Sequence, residues 1–322
     1  MQGLSSEFEV LEKLRRKFSL EKIGDDCAVL PKDSKTDLVI TADMLVEDVD
    51  FRLEWAKPEF IGHKALAVSL SDIAAMGADP TWAMLSIAVP EHLWETKFIE
   101  KFYSGWHKLA KIHKVELVGG DISRSPDNLV IDSIVAGEVP KGAAILRSTA
   151  KPGDGIFVTG ELGGAAAGLK ILDEWGWYNP DLPRKKLKLV EQQVKPTPQV
   201  SVGKLLQRNT LATAMIDISD GLSSDLHHLC RSSGVGAKIY ARKLPVDGNL
   251  KAVIKSPAER LELALNGGED FELLFTAPKK YFSSLESTLF YRIGEITPNV
   301  GTIELMVRGE TRVLPPQGYR HF

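Results

Sequence analysis

The stretch IGHKALAVSLSDIAAMGA, residues 61–78, largely sets the fold class of this chain. Alanine and leucine favour a helix and Gly77 is a residue type that commonly ends one, so the stretch predicts a helix over residues 61–76. Its apolar residues cover nearly the whole circumference, which is typical of a helix buried inside a protein. The helix nevertheless carries an aspartate, Asp72, between apolar neighbours.

Short apolar segments flank this helix in both directions. Residues 38–43 and 82–89 have the composition of strands, whereas apolar residues at helical spacing over 7–18 and 96–113 predict helices. Further strands are predicted over residues 27–30, 115–118, 129–139, 156–160, 214–218, 237–240 and 271–275. Strands and helices mixed in this way indicate an α/β fold.

A domain junction is predicted near the middle of the chain. The segment PKGAAILRSTAKPG, residues 140–153, has the proline and glycine punctuation of a linker, and 322 residues are enough for two domains. We therefore predict an N-terminal domain over residues 1–145 and a C-terminal domain over residues 146–322.

Composition argues against several classes of function. Lysine and arginine number 40 against 43 aspartate and glutamate, and the resulting net charge of −3 without a basic tail disfavours a nucleic-acid partner. No apolar run has the length of a membrane helix and the start lacks the pattern of a signal peptide, so we expect a cytoplasmic protein without a membrane partner. Cys27 and Cys230 are too few and too far apart for a disulfide framework or a zinc knuckle, and we predict both to be reduced and packed.

Acidic residues stand where many of the predicted strands begin or end. One such residue alone is more typical of a turn or a helix cap. Because loops after strands gather on one rim of an α/β domain, however, several carboxylates there would converge, and their repulsion would require cations. The residues concerned are Asp25, Asp26, Asp43, Asp121, Asp217, Asp220, Glu269 and Asp270.

Asp72 strengthens this interpretation, because a buried carboxylate needs a partner or an ion. Pairing with a lysine or capping a helix remains the alternative. The candidate ligands are hard oxygen donors without a nearby cluster of cysteine or histidine, which favours magnesium over zinc or copper. A magnesium site built from several loops is typical of phosphoryl transfer.

The common nucleotide and hydrolase motifs are absent. Gly203 and Lys204 are not part of a P-loop, and there is no kinase His-Arg-Asp or Asp-Phe-Gly motif, no serine-hydrolase elbow and no His-Glu-x-x-His pair. The segment GELGG, residues 160–164, precedes a predicted helix. It is equally compatible with phosphate binding through backbone amides and with close packing.

Six motifs follow one another along the chain. They are IGDDCAVL at residues 23–30, TADMLVEDVDF at 41–51, SLSDIAAMGA at 69–78, GGDISR at 119–124, IDISDGL at 216–222 and GGEDFEL at 267–273. Together, over nearly the whole chain, they resemble the thiamine-monophosphate kinase family. The resemblance implies the two-domain aminoimidazole ribonucleotide synthetase-like fold, of class α/β (α+β), with an N-terminal α/β dimerisation domain and a C-terminal α+β domain. It also implies a homodimer that binds ATP between its N- and C-terminal domains.

The resemblance further implies an activity and a set of site residues. The activity is ATP-dependent phosphorylation of thiamine monophosphate to thiamine diphosphate by direct transfer, with several magnesium ions and without a general base. The implied magnesium ligands are Asp26, Thr41, Ala42, Asp43, Asp72, Asp121, Asp217 and Asp220. The implied ATP contacts are Gly120, Asp121, Arg147 and Ser219, and the implied thiamine contacts are Asp50, Glu269 and Pro316.

Three of these positions depart from the family pattern. Asp50 stands where histidine is usual and Pro316 where tryptophan is usual, and the loss of a stacking aromatic ring is not conservative. Ala42 replaces a common threonine and would contact a metal only through its carbonyl oxygen. Two alternatives to the kinase stay open. One is a sister enzyme such as aminoimidazole ribonucleotide or selenophosphate synthetase, and the other is a catalytically silent nucleotide-binding homologue.

Overall fold

A computed structural model describes residues 7–287 and 290–321. Within them the α-helices are α1 (Glu7–Phe18), α2 (Pro58–Ala75), α3 (Glu91–Trp94), α4 (Phe98–His113), α5 (Gly164–Trp175), α6 (Arg184–Val194), α7 (Val200–Arg208), α8 (Leu222–Ser233), α9 (Pro257–Asn266) and α10 (Phe282–Glu286). The strands are β1 (Ala28–Pro31), β2 (Thr36–Val46), β3 (Asp79–Pro90), β4 (Glu116–Ser125), β5 (Val130–Pro140), β6 (Gly155–Val158), β7 (Ala214–Asp217), β8 (Gly236–Tyr240), β9 (Leu273–Ala277), β10 (Tyr291–Thr297), β11 (Ile303–Val307) and β12 (Glu310–Val313).

The first sheet and helix α2 form the centre of the N-terminal half. The strand order is β1-β2-β5-β3-β4, and neighbouring strands are antiparallel except β3 and β4. Helix α2 packs on β2 and β5 and is covered by α4. Leu66, Leu70 and Ile73 of α2 are completely buried. The predicted buried helix is thus confirmed, although it begins at Pro58, a residue type favoured at the first helical position.

Strand β4 corrects one prediction. The glycines at 119 and 120 suggested that the strand ends at Val118, but β4 continues through them to Ser125, paired in parallel register with β3. A Cβ atom at position 120 would lie 1.9 Å from the carbonyl oxygen of Leu85, so this glycine permits close approach of two strands. Asp121 therefore lies inside a strand, not in a turn.

The second sheet forms the C-terminal half. Its strand order is β12-β11-β8-β10-β6-β9-β7, with only β11 and β8 parallel among neighbouring strands of the described residues. Helix α8 packs on β7, β8 and β9, and α5 packs against α6 and α9. Two mixed sheets with covering helices confirm the α/β class.

Helix α2 also joins the two halves, because it contacts α7 and β7 of the C-terminal half. A Cβ atom on Gly203 of α7 would lie 2.0 Å from the carbonyl oxygen of Ala74. One apolar core includes Leu70 of the first half and Phe157 of the second. The first sheet ends at Pro140 and the second begins at Gly155, and we propose to keep the domain boundary near residue 145, between them.

Two further sequence predictions concern the cysteines and membrane-spanning helices. Cys27 and Cys230 are both free and buried, as predicted. In the described part of the chain, no helix is both long enough and apolar enough to cross a membrane.

Candidate functional site

Three carboxylates from different elements meet near helix α2. Asp26 precedes β1, Asp72 lies on α2 and Asp217 ends β7. One carboxylate oxygen of each lies within 4.8 Å of the other two. Asp26 and Asp217 are buried, at 7% and 3% exposure. The chain thus holds three acidic groups close together and largely out of water.

Burial and repulsion between carboxylates raise the pKa values of Asp72 and Asp217. Burial, with the charges of Asp43 and Asp217 added, raises the pKa of Asp72 well above its ordinary value. Burial and then the charge of Asp26 raise the pKa of Asp217 to about 7. Anionic carboxylates at this spacing destabilise one another unless a cation lies between them.

Strand β2 adds two polar groups to the cluster. The Thr41 hydroxyl donates to Asp72 Oδ2 at 2.5 Å. Asp43 Oδ2 is buried and has no hydrogen-bond partner among the described residues, and burial raises the pKa of Asp43 to about 6. Ala42 is exposed, and strand alternation places it on the opposite face of β2. A buried acceptor without a partner fits a ligand position for a hard cation.

Arg147 ties the start of the C-terminal half to the cluster. Its Nε and Nη2 donate to the two carboxylate oxygens of Asp26, at 3.0 and 2.7 Å. Its backbone amide donates to Asp25 Oδ2 at 3.1 Å. This bidentate pair compensates one negative charge of the cluster and fixes the orientation of Asp26.

Gly120 and Asp121 lie apart from the cluster within this chain. Gly120 is in register with Leu85, which pairs with Ser133 and through it with Asp43. Three strand spacings therefore separate β4 from β2, which is roughly 14 Å. Asp121 is exposed and cannot share one ion with Asp43 of the same chain. Of the acidic strand-end residues, several of which were expected to converge, Asp121 does not join the cluster of the same chain, because β4 is the far edge of the sheet.

An open cleft lies beside the cluster, between the two halves, with a volume of about 360 Å³. Asp43 lines it and so joins the cleft to the cluster. The other acidic residues of its lining are Asp48, Asp50, Asp220 and Glu269, and the aromatic ones are Phe51, Trp55, Phe271, Tyr319 and His321. Ser219 also lines the cleft. The predicted residues Asp50, Ser219, Asp220 and Glu269 thus share one cleft.

The C-terminal segment reaches the cleft through a residue that the sequence analysis missed. Pro316 is exposed and is not among the lining residues, whereas Tyr319 and His321 are. The Tyr319 amide donates to the carbonyl oxygen of Asp220 at 2.9 Å, and its ring meets that of His321 edge to face. The sequence feature that could have identified this residue is an aromatic side chain near the end of the chain. Tyr319 therefore places an aromatic ring in the cleft lining, whereas Pro316 does not contribute to it.

Two amides of the segment GELGG, those of Leu162 and Gly163, already donate to groups of the protein. Asp270 accepts hydrogen bonds from the amides of Gly163 and Ala165, at 2.7 and 3.2 Å, and so caps the start of α5. A Cβ atom at Gly163 would lie 2.9 Å from the amide nitrogen of Ala264. Close packing therefore explains the glycine, and the phosphate-binding alternative is not supported.

Comparisons with known proteins identify the family of this chain. The family models for the N-terminal and C-terminal domains of AIR synthase related protein match residues 24–139 and 151–305. Thiamine-monophosphate kinase of Bacillus subtilis strain 168 is 38% identical over 93% of each chain, and that of Escherichia coli K12 is 38% identical over 93% of this chain and 91% of its own. The solved structure of AaThiL complexed with AMPPCP and TMP has a TM-score of 0.88 and 35% identity, covering 98% of this chain and 97% of its own. The chain belongs to the thiamine-monophosphate kinase family.

Proposed function

We propose that this protein transfers the γ-phosphoryl group of ATP to thiamine monophosphate, giving thiamine diphosphate and ADP. The proposal rests on the position of Asp43. This residue lies close enough to the buried carboxylates for its charge to act on Asp72, and it also lines an acidic, aromatic cleft. A candidate magnesium site thereby adjoins a binding cleft, as magnesium-dependent phosphoryl transfer requires.

We assign the buried carboxylates to magnesium, with several ions in the complete site. Asp26, Asp72 and Asp217 are close enough to share an ion, and Asp43 offers the buried oxygen without a partner. Thr41 and Asp220 adjoin these residues, and Ala42 has only its carbonyl oxygen to offer. Bound magnesium would neutralise the phosphate charges that repel each other during transfer. Asp121 remains a proposed ligand only for an ion separate from the Asp43 position.

No side chain has to remove a proton from the acceptor. A phosphate monoester has a second pKa of about 6, so the attacking phosphate is mostly a dianion at neutral pH. The difficulty is instead the approach of two anions, since two unit charges 4 Å apart repel by roughly 4 kcal/mol at an effective dielectric of 20. The residues of this chain therefore act by holding and orienting the reactants. We assign Arg147 and Ser219, with Gly120 and Asp121, to the nucleotide.

The cleft lining suits the other end of thiamine monophosphate. The thiazolium ring is a cation, and Asp48 and Asp50 place negative charge on the cleft wall. Phe271 and Tyr319 offer ring faces, which attract cations and stack on flat heterocycles. Pro316 is not part of this lining, so it can affect acceptor binding only from outside the cleft. These groups favour a cationic, aromatic acceptor over the polar ribonucleotide of a sister enzyme.

A comparison of acceptors tests the proposal. Purified protein is incubated with ATP, magnesium and either thiamine monophosphate, unphosphorylated thiamine or formylglycinamidine ribonucleotide, the substrate of aminoimidazole ribonucleotide synthetase, and the products are separated by anion exchange. Product from thiamine monophosphate alone is expected. Product only from the ribonucleotide would favour that sister activity, and ATP binding without any product would favour a silent homologue.

A further inference from the structure

A buried lysine lies beneath the cleft, and none of the motifs gives it a role. Lys64 of α2 is 3% exposed, on a helix whose other buried residues are mostly small or apolar. A lysine without a partner at this depth would lose most of the hydration of its ammonium group. Its contacts should therefore show why α2 carries a charge here.

The ammonium group of Lys64 contacts both walls of the cleft. Its Nζ lies 2.6 Å from Glu269 Oε1, on the wall from the C-terminal half. It also donates to the carbonyl oxygen of Asp50 at 3.3 Å, on the wall from the N-terminal half. Asp50 and Glu269 are the two cleft residues that the family resemblance connects with thiamine. Lys64 thus bridges the two sides of the acceptor site.

The carboxylate of Glu269 is held by a second partner as well. Gln193 of α6, itself 5% exposed, donates from Nε2 to Glu269 Oε2. The backbone of Glu269 has φ of 66°, a left-handed conformation that costs a non-glycine residue energy. Contacts to other elements must therefore keep Glu269 in place. Among the described residues, Lys64 is the charged one of the two side chains that contact the Glu269 carboxylate.

We propose that Lys64 is a positioning residue for recognition of the acceptor. It fixes the Glu269 carboxylate opposite the Asp50 backbone, and it balances the Glu269 charge from within the protein. Glu269 then serves as an oriented hydrogen-bond acceptor for the amino group of the thiamine pyrimidine, and not as the counter-ion of the thiazolium. This inference rests on the proposed function, because it assumes that the cleft binds thiamine monophosphate.

Steady-state kinetics of Lys64→Met test the proposal. The variant keeps an unbranched side chain up to the ε carbon but loses the charge and the donors of the ammonium group, so KM for thiamine monophosphate should rise about tenfold or more. The KM for ATP and kcat should change less than about twofold, because neither depends on the orientation of Glu269. An unchanged KM for thiamine monophosphate would overturn the proposal. An equal rise in the KM values for thiamine monophosphate and for ATP would overturn it as well. Lys32→Met is the matched control, since Lys32 pairs with Glu138 at the same 2.6 Å on the exposed surface.

A double-mutant cycle shows whether Lys64 acts through Glu269. If it does, K64M/E269Q should have the acceptor KM of Glu269→Gln within about twofold, whereas independent roles would multiply the two effects. Multiplied effects would overturn the proposal. This comparison stays decisive if K64M alone does not fold, because the double variant leaves no buried charge of this pair without its partner. A wild-type protein that forms no thiamine diphosphate would refute the proposed function itself, and this inference with it.

Discussion

At the scale of single residues, the site is a set of carboxylates held where their charges are unfavourable. The sequence motifs were sufficient to select Asp26, Asp72 and Asp217, and the structure brings these three together. Sequence could not reveal that Lys64 lies beneath the cleft or that Tyr319 lines it. A lysine in a helix and a tyrosine near the end of a chain become informative only when tertiary packing places them beside Glu269 and Asp220.

Asp217→Asn tests whether the cluster binds magnesium. The wild type should gain thermal stability on addition of magnesium, by about 2.7 kcal/mol at a hundredfold excess over Kd. D217N should lose most of this gain, and in EDTA it should be no less stable than the wild type, because one repelling charge is gone. Melting temperatures with magnesium and with EDTA measure both effects. Asp173→Asn, at an exposed position, is the control. A full magnesium response in D217N would contradict the assignment.

Glu272 provides a pH test outside the carboxylate cluster. Burial raises its pKa from 4.5 to about 7, against the opposing effect of the hydrogen bond from Thr159. The protonated Glu272 side chain therefore makes its full contribution to the stability of the fold below pH 4.5, and this contribution is lost as pH rises through 7. Glu272→Gln stays neutral, so its stability relative to the wild type should increase between pH 5 and pH 8, by up to about 3 kcal/mol. Urea unfolding at several pH values measures this difference. Exposed Glu91→Gln is the control, and parallel wild-type and E272Q profiles would contradict the prediction.

At the scale of elements, α2 is the part of the fold that the sequence predicts best. Its apolar circumference is a local property of the chain and needs no knowledge of partners. Strand β4 shows the limit of this approach, because its two glycines are typical of a turn and only pairing with β3 keeps them extended. The contact between α2 and α7 could not be predicted from sequence either, because the need for glycine at position 203 depends on its packing against Ala74.

Gly203→Ala tests whether this helix contact holds the two halves together. Alanine favours a helix over glycine by about 1 kcal/mol, so helix propensity alone predicts stabilisation. A Cβ atom 2.0 Å from the Ala74 carbonyl oxygen predicts instead a loss of about 1–3 kcal/mol. The free energy of unfolding in urea decides between the two. Gly248→Ala is the control, because its Cβ atom would meet nothing within 4 Å. A stabilised G203A would contradict the close packing.

At the scale of the whole molecule, β4 is an exposed edge of the first sheet. Leu117, Val118 and Ile122 are 39%, 50% and 47% exposed, and an apolar edge strand is prone to pair with another chain. We propose that two copies associate through β4. In such a dimer Gly120 and Asp121 would be interface residues, in addition to the nucleotide contacts assigned to them.

Val118→Lys should therefore shift the protein from dimer to monomer in sedimentation at micromolar concentration. A charge in the centre of the pairing surface would have to be buried without a partner. Val300→Lys, at a valine 68% exposed elsewhere, should remain dimeric. A wild type that sediments as a monomer would contradict the proposed association.

The most direct test of the central claim is the yield of thiamine diphosphate from ATP and thiamine monophosphate, measured for the wild type and for D217N. The wild type should form product with magnesium and none with EDTA, and folded D217N should form less than about a hundredth of the wild-type amount, as expected when a group that stabilises transferred charge is lost. Equal yields from the two proteins, or wild-type product in EDTA, would contradict the claim that these buried carboxylates support magnesium-dependent phosphoryl transfer.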